Sequence, residues 1–162
     1  MYSILVSSEA LGPSGNARVA DLGINGNSTN MAGYVIYENN QPARMVFINY
    51  MSDPSGALDY TARVAVQGAT TVSVRYLVAE KITSKFNVSY AGQSWGGYFE
   101  SDGLLRGDQV TETVACTGGV CPISVPAPGA AVVFLTNDLI FDAKAGDAVE
   151  TYVASFGVQD LN

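Results

Sequence analysis

Residues 32–51 read AGYVIYENNQPARMVFINYM, two apolar runs joined at a polar turn. In the first run Tyr34, Ile36 and Glu38 alternate with Val35 and Tyr37, the period-two signature of a strand. Asn39, Asn40, Gln41 and Pro42 then turn the chain. Residues 45–48 are apolar on both faces, which puts the second run inside a packed sheet rather than at its edge. A helix over 45–51 is opposed by the β-branched and aromatic enrichment and by Pro42 just upstream. A hairpin whose second strand is buried on both sides needs more sheet around it, and the rest of the chain is read as supplying it.

Further strands are expected at residues 2–7, 17–22, 59–66, 71–80, 86–90, 97–100, 110–116, 121–125, 130–136 and 148–156, beside 33–38 and 44–51 of the central hairpin. Turn clusters at 12–15, 23–30, 53–56 and 126–129 separate them. Short strands at this spacing, with no convincing amphipathic helix, indicate an all-β fold, an antiparallel β-sandwich. Over 71–78, Val72, Val74, Tyr76 and Val78 alternate with Ser73, Arg75 and Leu77, one core face and one mixed face. Residues 1–136 form the expected sandwich domain, and 137–162 a tail that adds at most one further strand to it.

The chain has 162 residues, of which 48% are hydrophobic and 14% charged, the balance of a globular domain. No apolar run is long enough to span a bilayer as a helix. A net charge of −7, with basic residues scattered, argues against nucleic acid as a partner. There is no histidine, which removes Ser-His-Asp and Cys-His catalysis and the usual zinc sites and leaves carboxylate chemistry for catalysis. No residue pattern calls for a cofactor.

Cys116 and Cys121 flank Thr117, Gly118, Gly119 and Val120, a turn-forming insert, and read as a disulfide closing a small hairpin. A metal site would need two further ligands. The sequons Asn27-Ser28-Thr29 and Asn87-Val88-Ser89 are glycosylation candidates and, with the disulfide, point to a secreted, extracellular protein. The N-terminus carries no basic segment followed by an apolar core, so no signal peptide is visible. The expectation is a fragment of a longer precursor.

The most site-like stretch is residues 92–103, GQSWGGYFESDG, which holds the only tryptophan. Trp95 or Tyr98 would stack on a sugar face while Gln93, Glu100 and Asp102 bond its hydroxyls. The other reading is a tight turn around a core tryptophan. On a strand, Glu100 and Asp102 would stand about 7 Å apart on one face, a separation found between acid and base in inverting glycosidases, but any such pair on a strand supplies it. Asp138, Asp142, Asp147 and Glu150 lack the spacing of an EF-hand loop and read as a solvated face.

The collinear segments ARVADLGIN (17–25), the hairpin at 32–51, DPSGALDYTA (53–62), VSVRYLVA (72–79), YAGQSWGGYFESDGLLRG (90–107) and VPAPGAAVVFLT (125–136) together resemble the C-terminal β-domain of fungal glycoside hydrolase family 79 proteins. That family includes β-glucuronidases and is related to heparanase. The resemblance implies a β-domain packed beside a catalytic (β/α)8 barrel that carries the acid/base and nucleophile glutamates. No catalytic residue of the family falls on a position of this sequence. The expected role is therefore a non-catalytic accessory domain supporting such a barrel, with homo-oligomers possible through the barrel-facing surface. The competing expectation is an independent lectin-like protein that binds carbohydrate through the Trp95 loop.

Overall fold

The computed structural model describes residues 2–24, 26, 28–53, 55–97, 102–136 and 140. Among these residues, one helix, α1 (Tyr2–Leu11), precedes nine strands: β1 (Arg18–Asp21), β2 (Met31–Glu38), β3 (Gln41–Asn49), β4 (Tyr60–Ala65), β5 (Thr71–Val78), β6 (Ser89–Tyr90), β7 (Glu112–Ala115), β8 (Val120–Val125) and β9 (Gly129–Phe134). The large sheet runs β1-β2-β3-β9-β5-β6, with β7 beside the other half of β5, and β4 and β8 form a second, small sheet. Every pairing is antiparallel. The expected all-β sandwich is the fold found.

The central hairpin forms as its sequence dictates. Asn39 and Asn40 both take left-handed backbone, φ +51° and +62°, the conformation a two-residue turn between twisted strands requires and asparagine tolerates. The register then slips between Ile36 and Tyr37, so Arg44 opposes Ile36 while Pro42 opposes Tyr37. The irregularity falls beside Pro42, which has no N–H to give to a regular ladder. β3 lies between β2 and β9, and β9 is buried on both faces from Ala130 to Phe134.

Two apolar layers result. On one face, Phe47, Val72, Val74, Ala131 and Val133 pack against Ala62, Val64, Ile123 and Val125 of the small sheet. On the other, Ile36, Val46, Val132 and Phe134 meet Ala10 and the half-buried Tyr2, Leu5 and Val6 of α1, and Ile140 packs against the same cluster. Asn49 joins the sheets where they end, donating to the carbonyls of Leu58 and Val125 and accepting from the N–H of Met51.

The helix corrects the expectation of a strand at 2–7. Tyr2, Leu5, Val6, Glu9 and Ala10 recur at i, i+3, i+4, i+7 and i+8, and these positions face the sheet. The carboxylate of Glu9 in that stripe hid the helical period, and the run Ile4-Leu5-Val6 favoured a strand. Gly12 stops the helix with φ +71°, its N–H bonded to the Ser8 carbonyl. A Cβ on Gly12 would lie 2.6 Å from Nη1 of Arg44, so the glycine also admits a buried guanidinium beneath the helix end. Of the strand expected at 97–100, Gly97 lies in a bend, and the rest falls outside the described residues, as does the strand expected at 148–156.

Candidate functional site

The loop that follows β6 returns on itself as an irregular hairpin. Ser94 and Arg106 exchange both backbone hydrogen bonds, at 2.9 and 2.8 Å, and the Gln93 side chain donates to the Gly107 carbonyl at 3.0 Å. The glycines serve this crossing. A Cβ on Gly92 would stand 2.8 Å from Val110, and one on Gly107 3.1 Å from the Gly92 carbonyl oxygen, while both residues have positive φ. The glycines thus let the two arms of the loop approach each other closely.

Trp95 is only 8% exposed. Its ring meets that of Tyr2 edge-on, centroids 4.7 Å apart, and its backbone N–H donates to the Tyr2 hydroxyl at 3.1 Å. The tryptophan thus ties the loop to α1, in the manner of a core side chain rather than an open stacking platform. Asp102 sits in a bend, exposed, and pairs with Arg106 at 2.7 Å, so it is not one of two residues on a strand face. The Leu104 N–H, and then Arg106, hold its carboxyl below the ordinary range. Tyr98, Glu100 and the sequon residue Asn27 lie outside the described residues, with the acidic positions 138, 142, 147 and 150. Among the described residues, then, the loop brings Gln93 and Trp95 to its base and Asp102 to its rim without converging them on one point.

A buried polar cluster escaped the sequence reading. Glu9 (1% exposed) projects from α1 onto the large sheet, where it accepts from Arg75 at 2.9 Å and from the Tyr90 hydroxyl at 2.6 Å, with Gln109 at 3.4 Å. Arg75 also donates to Thr111 and lies over the Phe134 ring, 5.5 Å from its centroid. Burial first, and then the Glu9 carboxylate, push the Tyr90 phenol far up, so it remains a donor. Arg75 on the mixed face of β5 and Glu9 within an apolar stripe were the available signals, each an ion set among hydrophobes. Glu9, Arg75 and Tyr90 are buried and satisfy one another, with Gln109 and Thr111 half-buried beside them, which makes the cluster a clamp between helix and sheet rather than a binding site.

The Cys116–Cys121 disulfide is present. Gly118 and Gly119, at φ +59° and +77°, make the turn, and Thr117 bridges Val120. Since β7 belongs to the large sheet and β8 to the small one, the bond clips the chain where it crosses between layers. No group of three or more metal-ligating side chains converges among the described residues.

Over residues 33–132, from β2 into β9, the sequence matches the glycosyl hydrolase family 79 C-terminal beta domain. The chain belongs to that family. The solved structures include a similar one, a 4-O-α-L-rhamnosyl-β-D-glucuronidase from Fusarium oxysporum 12S in complex with Rha-GlcA, at 25% sequence identity and a TM-score of 0.60. That likeness covers 72% of this chain and 25% of the Fusarium chain, so the family 79 domain described here spans about a quarter of its relative. No curated protein matches it.

Proposed function

We propose that this family 79 β-domain is the non-catalytic accessory module of a secreted glycoside hydrolase, supporting a catalytic (β/α)8 barrel supplied by another part of a longer protein. The observation that carries the reading is the collinear family match over 33–132, joined to a structural likeness that accounts for only a quarter of a glucuronidase chain. The chemistry of the loop supports it. Glycoside hydrolysis needs one carboxyl held protonated opposite a second across an enclosed bond. Asp102 is exposed, paired with a guanidinium and shifted toward ionisation, the opposite of a general acid.

An open apolar recess of about 560 Å³ adds support, lined by Leu22, Ile24, Met31, Met45, Phe47 and the residues of β4. Of its lining residues only Arg63 is charged, and the recess suits a surface buried beneath a neighbouring domain. The disulfide favours the extracellular route.

The test is hydrolysis of an aryl β-glucuronide by the purified chain, beside a determination of the reading frame upstream. The expected outcome is no turnover and an adjoining barrel with two glutamates at its strand ends. Turnover abolished by Asp102→Asn would overturn the non-catalytic reading, and an upstream frame that encodes no barrel would overturn the accessory one.

A further inference from the structure

We propose that Asn87 is an N-glycan acceptor and that its glycan shields the β6 edge of the large sheet. The triplet Asn87-Val88-Ser89 has the required hydroxyl two residues on and no proline between. A sequon alone is weak, and the fold supplies what it lacks. Asn87 is exposed with φ +56°, whereas Val88 and Ser89 are half-buried and Tyr90 is 2% exposed. The chain therefore dives from solvent to core within three residues, and Asn87 is its last fully exposed point before β6.

The surroundings need cover. β6 is a two-residue strand at the end of the sheet, paired there with Leu77 and Val78, and Tyr90 also exchanges backbone hydrogen bonds with Gln93 of the following turn. Around it Val78 is 43% exposed, Ile82 62% and Phe86 38%, an apolar rim beside a short strand at the end of the sheet. Such edges invite association unless charged or covered. Asn87 also borders a recess of about 310 Å³ that combines Val78 and Pro126 with the carboxylates of Asp53, Asp59 and Glu80. Apolar walls with hydrogen-bond acceptors suit the first sugar of a glycan, which offers an apolar ring face, hydroxyls and an acetamide N–H.

The donor is a lipid-diphosphate-linked oligosaccharide of the secretory pathway. Nδ2 of Asn87 forms a bond to the anomeric carbon of the terminal N-acetylglucosamine as that carbon's bond to the diphosphate breaks. The lipid diphosphate leaves with the electron pair, and the amide loses one proton.

The inference rests on the secretory reading above, and its test removes that dependence by giving the protein a yeast export leader. Peptide mapping and intact mass are compared before and after peptide N-glycosidase, which leaves aspartate at each acceptor. The expected result is a glycan on the peptide containing Asn87, lost in Asn87→Gln and retained in Asn27→Gln. Secreted wild-type protein with an unmodified Asn87, or a mass shift that Asn87→Gln leaves intact, overturns the assignment. For the shielding, the deglycosylated protein should bind a hydrophobic dye more strongly and aggregate sooner than the glycosylated form. Equal behaviour of the two forms overturns that part.

Discussion

Replacing Glu9 by alanine tests how the helix is held to the sandwich. The carboxylate is 1% exposed and its partner Arg75 3%, so the substitution leaves a guanidinium in the interior without its counter-ion and the Tyr90 hydroxyl without its acceptor. Breaking one side of a buried ion pair costs about 3–5 kcal/mol, and an orphaned hydroxyl about 1–3 kcal/mol when nothing replaces its partner. Arg75 keeps Thr111 and the Phe134 ring, which limits the loss, and the expected total is about 4 kcal/mol. For a domain of this size that corresponds to a fall in Tm of about 10–15 °C.

Urea unfolding measures it, with the midpoint falling and the slope unchanged. The double variant Glu9→Leu with Arg75→Met should recover much of the loss, since an apolar pair of similar volume removes both charges together. A cycle built from it should give a coupling of about 2–3 kcal/mol. A loss below about 1 kcal/mol for Glu9→Ala, or additive effects of the two single changes, would refute the claim that the pair clamps α1 to the sheet.

Trp95→Ala should cost about 3–5 kcal/mol in the same assay, as for a large core side chain. A glycan array read with the wild type and a variant of unchanged stability but lost sugar binding would reverse that reading. Glu38 sets an acid limit: the Ser14 hydroxyl, and then Arg44, lower its pKa below the ordinary 4.5. A depressed folded pKa contributes stability above 4.5 that is lost as the pH falls through the lowered value. Acid unfolding of Glu38→Gln should therefore lack this part of the pH dependence, and a curve parallel to wild type between about pH 5 and the acid midpoint would count against it.

Much of the architecture was legible because strand sequences carry their burial locally. The alternation in β2, the two-faced apolar run in β3 and the Gly-Gly turn between the cysteines each state which faces are covered, and each is where the sequence placed it. The candidate loop was legible in composition but not in geometry. Whether a tryptophan stacks on a sugar or on Tyr2 depends on a residue 93 positions away, and local pattern holds no record of that contact.

What the sequence alone determined is the class of the protein: β-rich, disulfide-bonded, without histidine chemistry, and collinear with the family 79 β-domain. Period-two hydrophobicity and turn residues act over a few positions, so they survive translation into fold without knowledge of the partners. Tertiary structure decided the rest. It made 2–11 a helix by giving Glu9 a buried Arg75 and Tyr90 to meet, and it buried Arg44 beneath Gly12. A charge inside an apolar stripe is unfavourable until a complementary charge stands opposite it, and only the folded chain brings the two together.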